Sequence, residues 1–287
     1  MRWQGQRESD NVEDRRGMSM PRRGAAIGGT GLLLLVAFAL LTGQDPISLL
    51  QTVSGPATSV DSGAPQEPGQ VGAPSDQLGK FASVVLGSTE DVWQHQFAAA
   101  GSSYQKPMLV LFSQAVQSAC GFGSAAVGPF YCPNDSKVYL DLSFFNELEQ
   151  RFGAPGDFAQ AYVIAHEVGH HVQNLIGIAD KVRAAQQRGG EEVANALSVR
   201  MELQADCLAG VWANHANREQ RLLEPGDVEE GLAAAAAIGD DRIQKQAQGY
   251  TVPETWTHGS SEMRVKWLKK GLQSGDIQAC DTFAETG

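Results

Sequence analysis

Residues 24–44 are predominantly apolar and contain no charged side chain, and this stretch limits how the rest of the chain can fold. A helix of about 20 apolar residues crosses the roughly 30 Å hydrocarbon layer of a membrane. The stretch is preceded by Arg15, Arg16, Arg22 and Arg23. Because positive residues favour the cytoplasmic side, we predict one transmembrane helix over 24–44 with residues 1–23 in the cytoplasm.

A cleaved signal peptide is the alternative for this stretch. Ala37 and Ala39 have the small-X-small spacing of a cleavage site. That site lies inside the apolar stretch, however, and a long charged segment precedes it, so we favour the uncleaved anchor. Both alternatives export the bulk of the chain. The expected location is the inner or cell membrane, single-pass, with the folded domain periplasmic or extracellular.

The charge balance excludes one class of partner. The chain has 22 basic and 33 acidic residues, a net charge of −11. Nucleic-acid binding depends on a surplus of positive charge that displaces counterions from phosphates. We therefore expect no nucleic-acid partner.

Four cysteines agree with an exported domain, because disulfides persist in oxidising compartments. Cys120 and Cys132 are close in sequence, and Cys207 and Cys280 remain. Three connectivities are open from the sequence, and we predict the bridges Cys120–Cys132 and Cys207–Cys280. A zinc site built from four cysteines is disfavoured because the chain has no Cys-X-X-Cys pair.

The remaining chain divides into a linker and one folded domain. Residues 45–80 are rich in Gly, Pro, Ser and Gln and cannot bury enough apolar surface to order themselves. The domain over 81–287 is predicted to be α+β and mostly helical, with a small antiparallel sheet. Strands are predicted at 108–112 and in a hairpin of 130–132 with 138–142. Helices are predicted at 84–98, 191–217, from 227 through 237, and 261–272, and one more begins after Asp157 as N-cap and ends at Gly177.

Residues 166–170 have the sequence His-Glu-Val-Gly-His. On a helix, residues four apart share one face, so His166 and His170 can offer both imidazoles to one zinc ion. Glu167 lies beside them and can take a proton from water that the ion makes acidic near neutral pH. The preceding residues are apolar, which indicates a buried helix, and buried imidazoles need partners. The motif therefore predicts one bound Zn²⁺.

A catalytic zinc takes a third protein ligand and keeps one position open. Glu202 and Asp206 are also four apart on a predicted helix, and their neighbours are apolar. Buried carboxylates are costly unless they are paired or bind a metal. Both residues are therefore candidates, whereas Glu191 and Glu192 lie at a helix start, where the helix dipole favours acidic residues.

Several segments together resemble the bacterial neutral zinc metallopeptidase family. They are residues 1–17, 128–133, 166–171, 202–207 and 258–262. The resemblance implies a zincin-like domain with a gluzincin-type site, in which Glu202 is the third ligand and Asp206 supports a ligand histidine. It also implies that Val138–Leu142 is an edge strand able to pair with an extended peptide.

His258 lies in a Gly- and Ser-rich segment and could hydrogen-bond the oxyanion of a reaction intermediate. It could equally be a helix-entry residue. We predict zinc-dependent hydrolysis of peptide bonds in a peptide or protein substrate outside the cytoplasm. The alternatives are a zinc-bound, non-proteolytic envelope scaffold and a zinc hydrolase of a non-peptide substrate.

Overall fold

A computed structural model of the 287-residue chain describes residues 1–18, 69–125 and 128–284. One compact unit combines Met1–Gly17 with Pro68–Gly287. The second unit, Met18–Glu67, lies outside the described residues except for Met18. The candidate site belongs to the first unit.

The main sheet of this unit has five strands, which are β1 (Val12–Asp14), β2 (Gln70–Val71), β3 (Met108–Phe112), β6 (Phe130–Cys132) and β7 (Lys137–Asp141). Their order across the sheet is β2-β1-β3-β7-β6. A separate hairpin pairs β4 (Ala115–Ser118) with β5 (Gly121–Ser124). The predicted hairpin is present, because β6 and β7 pair antiparallel with Tyr131 opposite Val138.

The sheet is mixed and not antiparallel as predicted. β3 pairs parallel to both β1 and β7. Parallel neighbours need long crossover connections, which leave no local turn signal in the sequence. Strand β3 is apolar throughout because both of its faces are buried. Leu109 and Leu111 face the helices, whereas Val110 and Phe112 pack in a second cluster with Val116.

The helices lie close to the predicted segments. They are α1 (Gln77–Ala99), α2 (Phe144–Gln150), α3 (Asp157–Leu175), α4 (Ile178–Gln186), α5 (Glu191–Gln220), α6 (Asp227–Ala237), α7 (Asp240–Gln248) and α8 (Ser261–Ser274). Gln77–Lys80, assigned to the linker from composition, form the first turn of α1 because Asp76 caps it by accepting a hydrogen bond from the Gly79 N–H. Gly177 follows α3 with φ 75°, a conformation that favours glycine.

The predicted arrangement across a membrane is wrong. β1 pairs with β3, so the N-terminal residues and the domain share one sheet. The Ser9 N–H also donates to the Ser83 carbonyl. Two segments joined in one sheet cannot lie on opposite sides of a membrane. Within residues 1–18, 69–125 and 128–284, no helix combines the length and apolar character that a membrane span requires. The predicted transmembrane helix over 24–44 lies outside these residues.

Candidate metal centre

Helix α3 carries His166 and Glu167, which are buried, and His170, which is half-buried. Since the two histidines are one helical turn apart, their rings meet edge to face, with centroids 4.8 Å apart. Apolar residues ahead of the motif, including Val163 and Ile164, bury the helix in the main core. The local sequence alone therefore sets the spacing of the two imidazoles.

Helix α5 brings Glu202 against both rings. Its Oε2 lies 3.0 Å from His166 Nε2, and its Oε1 lies 3.3 Å from His170 Nε2. One ligand atom from each of the three residues lies within 4.8 Å of the others. The carboxylate and the two imidazoles thus converge on a single point between α3 and α5.

Gly169 permits this close approach of the two helices. A Cβ at this position would lie 3.0 Å from the Ala205 carbonyl oxygen and 3.1 Å from Ala205 Cα. These contacts are tighter than side chains normally tolerate. The glycine of the motif therefore lets α5 come near enough for the Glu202 side chain to reach both histidines.

Asp206 lies on the opposite side of His166. Its Oδ1 is 2.8 Å from His166 Nδ1, and it also accepts a 2.5 Å hydrogen bond from the Tyr162 hydroxyl. Arg264 from α8 donates two hydrogen bonds of 2.9 Å to the same carboxylate. Asp206 is fully buried and Arg264 is 2% exposed, so each buried charge is compensated by the other.

The outer nitrogen of His170 has a neutral partner. Gln173 Oε1 lies 2.8 Å from His170 Nδ1. With an acceptor at each Nδ1, these nitrogens keep their protons, so the Nε2 atoms are the ones that would bind an ion once their own protons are lost. Both Nε2 atoms face the Glu202 carboxylate.

The charges of the site shift its pKa values strongly. Burial by itself would lower the pKa of His166, but the carboxylates of Asp206 and Glu202 raise it to about 10. Burial opposes ionisation of Glu202, yet the adjacent His170 and His166 hold the pKa of Glu202 well below its usual range. Burial also raises the pKa of Glu167 above its ordinary value, so this carboxyl group is a stronger base than an exposed glutamate.

The donor set fits a zinc ion. Two imidazole nitrogens and one carboxylate form a common catalytic zinc site, which leaves the fourth position for water or substrate. Each ligand histidine also has the outer hydrogen-bond partner that zinc-binding histidines usually have. His166, His170 and Glu202 are therefore the residues that would hold the ion.

A cleft of about 570 Å³ opens onto these residues. Phe130, Tyr131 and Phe144 contribute aromatic side chains to its walls. Glu167 also lines the cleft, and its carboxylate has no hydrogen-bond partner among the described residues. It is thus free to act on a molecule in the cleft.

His258 lies at the same cleft, on the segment between α7 and α8. Its Nδ1 is 3.2 Å from Asp240 Oδ1, and its backbone N–H donates to Asp240 Oδ2 at 2.6 Å. This hydrogen bond raises the pKa of His258. The sequence motif did not indicate Asp240, which holds the imidazole in place.

The strand beside the cleft is not the one that we predicted. Lys137–Asp141 lies between β3 and β6, so it is internal to the sheet. The edge strand is β6, Phe130–Cys132, which also lines the cleft. The hairpin was predicted correctly, but its outer strand could not be identified without knowing that β3 pairs with β7.

Both predicted disulfides are present. Cys120 and Cys132 are joined with a Cα–Cα distance of 5.7 Å, and Cys207 and Cys280 with one of 5.5 Å. The first joins the start of β5 to β6, next to the cleft. The second links α5, one residue after Asp206, to the C-terminal segment.

Besides Asp240, three residues of the site were not predicted from the sequence. Tyr162 precedes His166 by one helical turn, and Gln173 follows His170 by three residues, so both share the metal-binding face of α3. That spacing could have indicated them. Arg264 is 58 residues from Asp206, and no sequence pattern near it indicates this contact.

Comparison with known proteins places the chain in a family named for zinc peptidases. The family described as "Putative neutral zinc metallopeptidase" matches residues 1–283. The uncharacterized protein YpfJ of Escherichia coli is 48% identical over 294 residues, covering 100% of both chains. The uncharacterized protein Rv2575 of Mycobacterium tuberculosis is 43% identical over 260 residues, covering 86% of this chain and 85% of that protein. No solved structure gives a significant match. The chain belongs to the family of this description.

Proposed function

We propose that this protein hydrolyses peptide bonds, using one zinc ion held by His166, His170 and Glu202. One observation carries the proposal. Both Nε2 atoms and the Glu202 carboxylate converge at the floor of a cleft in which the Glu167 carboxylate has no other partner among the described residues. A purely structural metal site would have no use for a free, buried base.

Glu167 is the proposed general base. Zinc, when bound, would supply the Lewis acidity that makes water acidic near pH 7 and polarises a carbonyl group. Glu167 would accept the proton of the attacking water and pass it to the leaving amine. Its raised pKa suits both steps, because a base works best when its pKa lies near the operating pH.

His258 is the proposed oxyanion stabiliser. Asp240 binds its Nδ1, which leaves Nε2 as the second ring nitrogen available to donate a hydrogen bond. The same contact favours the protonated ring, which stabilises a developing negative charge more strongly than a neutral donor does. Asp240 therefore supports the orientation and the charge of His258.

The edge strand β6 supports a peptide as substrate. It pairs with β7 on one side, and no strand of the described residues pairs with its other side. An extended peptide can add to such an edge through backbone hydrogen bonds. Phe130 and Tyr131 would then contact alternate side chains of the bound peptide.

The test uses the full chain. We expect about one zinc per molecule by elemental analysis and cleavage of an unbiased peptide library. A chelator should abolish cleavage, and added zinc should restore it. Cleavage that survives complete metal removal would contradict the mechanism. A stably zinc-loaded protein that cleaves no peptide would instead favour the scaffold or the non-peptide hydrolase.

A further inference from the structure

Two glutamines connect the proposed zinc ligand His170 to the C-terminal segment. His170 Nδ1 lies 2.8 Å from Gln173 Oε1. Gln173 Nε2 donates to Gln204 Oε1 at 3.1 Å and to the Met201 carbonyl at 2.7 Å. Gln204 Nε2 in turn donates to the Cys280 carbonyl at 2.9 Å. We call this chain of side-chain amides, from Gln173 through Gln204 to the Cys280 carbonyl, the amide relay.

The far end of the relay determines the orientation of every group in it. A backbone carbonyl can only accept hydrogen bonds, so Gln204 must turn its NH₂ toward Cys280 and its oxygen toward Gln173. The Met201 carbonyl and the Gln204 oxygen then require the NH₂ of Gln173. Gln173 is left with its oxygen toward His170, and Nδ1 of that ring must be the donor.

Burial makes this orientation costly to reverse. Gln173 is 0% exposed and Gln204 is 5% exposed, so little of either side chain is open to water that could replace a lost partner. Flipping either amide would place two oxygens or two NH₂ groups against each other, and unsatisfied buried polar groups are costly. The other ligand, His166, is oriented differently, because the charged Asp206 holds it.

The Cys207–Cys280 disulfide holds the end of the relay in place. Cys207 follows Gln204 by three residues, so both lie on one face of α5. The bridge therefore keeps the Cys280 carbonyl over the Gln204 side chain.

We propose that Gln173 and Gln204 are positioning residues that set the tautomer of His170, so that Nε2 faces the metal, and that the C-terminal segment controls zinc affinity through them. This inference rests on the proposed role of His170 as a zinc ligand. It makes Gln204, which has no hydrogen bond to any of the three proposed ligands among the described residues, a determinant of metal binding.

The test compares Gln204→Leu with Thr282→Val. Thr282 is 4% exposed and donates to the Arg200 carbonyl at 2.7 Å, so it anchors the same C-terminal segment outside the relay. In chelator competition, we expect Gln204→Leu to weaken zinc binding by about 10-fold, the lower end of the range for outer partners of a ligand. Thr282→Val should change it by less than about 2-fold. Equal zinc affinities of the two variants would overturn the proposal that the amide relay controls zinc binding.

A second measurement does not depend on zinc. In the metal-free wild type, the Glu202 carboxylate competes for the Nε2 proton of His170, so the measurement uses Glu202→Ala. Long-range ¹H–¹⁵N NMR of this variant, under conditions where the His170 ring is neutral, should show the proton on Nδ1. A proton on Nε2 would overturn the inference, even if the wild type binds zinc. Conversely, an Nδ1 proton in this variant together with a wild type that takes up no zinc would contradict the proposed function alone.

Discussion

At the scale of single residues, Glu202 and Asp206 are similar carboxylates that have different partners because they lie one helical turn apart. Glu202 reaches both Nε2 atoms, whereas Asp206 binds the far nitrogen of His166 and the guanidinium of Arg264. The longer Glu side chain reaches the centre of the site, and the shorter Asp side chain, one turn later, meets the outer side of the ring. Each therefore has its own expected mutant phenotype.

We predict that Glu202→Ala loses zinc almost completely. Asp206→Asn should keep zinc with an affinity about 10–100-fold lower, because it disturbs a partner of the ligand and not the ligand itself. It should also lower stability, since it leaves Arg264 without its main counter-charge. Chelator competition and thermal melting measure both effects. Glu192→Ala, an exposed acid on the same helix, is the control. A metal-free Asp206→Asn beside a tightly binding Glu202→Ala would reverse the assignment.

Glu167→Gln tests the base separately from the metal. The amide keeps the shape of the side chain but cannot accept a proton at neutral pH. We expect zinc content near that of the wild type and turnover lower by roughly 10²–10⁴-fold, the usual scale for a lost general base. Zinc analysis and steady-state cleavage measure the two quantities. If the variant cleaves as fast as the wild type, Glu167 is not the base.

At the scale of elements, the position of Arg264 depends on how closely α8 packs on α5. Gly271 and Gly210 lie at this contact, and a Cβ on Gly271 would meet the Cys207 carbonyl oxygen at 1.9 Å. A Cβ on Gly210 would lie 2.3 Å from the Leu268 carbonyl oxygen. The two backbones approach at these glycines, and the same contact brings Arg264 to Asp206 between the helices.

We predict that Gly271→Ala destabilises the protein. Helix propensity alone would favour alanine by about 1 kcal/mol. The clash requires the helices to separate, which typically costs about 1–3 kcal/mol or more in a packed interior. The net effect should therefore be a lower free energy of unfolding, measured by urea denaturation. Lys269→Ala, at an exposed position of the same helix, should change it by less than about 0.5 kcal/mol. A Gly271→Ala variant as stable as the wild type would show that this contact is loose.

At the scale of the whole molecule, Glu13 joins the N-terminal strand to the sheet. It is 3% exposed, and its carboxylate binds Arg15, the Gly69 N–H and Lys137 of β7. Burial opposes ionisation, but these donors hold the pKa of Glu13 at about 2, below its ordinary value of 4.5. The ionised group therefore stabilises the folded chain.

The sign of this shift predicts a pH dependence. Because the folded-state pKa is lowered, the stabilisation is present above the unfolded-state pKa and is lost as pH falls toward about 2. We expect Glu13→Gln to be less stable than the wild type at neutral pH, with a difference that shrinks in acid. Urea unfolding at about pH 7, 5 and 3 measures it. Asp10→Asn, at an exposed neighbouring position, should show a smaller difference at neutral pH. If the difference in unfolding free energy between Glu13→Gln and the wild type grows in acid, the assignment is contradicted.

The sequence by itself determined the parts of this protein that depend on local spacing. Two histidines four residues apart share a helix face whatever surrounds them, so the histidine pair of α3 was predictable. The β6–β7 hairpin was predictable for the same reason, because a short polar turn joins its strands.

Only the tertiary structure decided which distant segments meet. It placed β1 beside β3, which overturned the membrane topology inferred from the length and composition of one apolar stretch. It also brought Arg264 to Asp206 and the Cys280 carbonyl to Gln204. The physical reason is that helical periodicity and turns arise from neighbouring residues, whereas these contacts depend on the packing of the whole core, which no short stretch of sequence encodes.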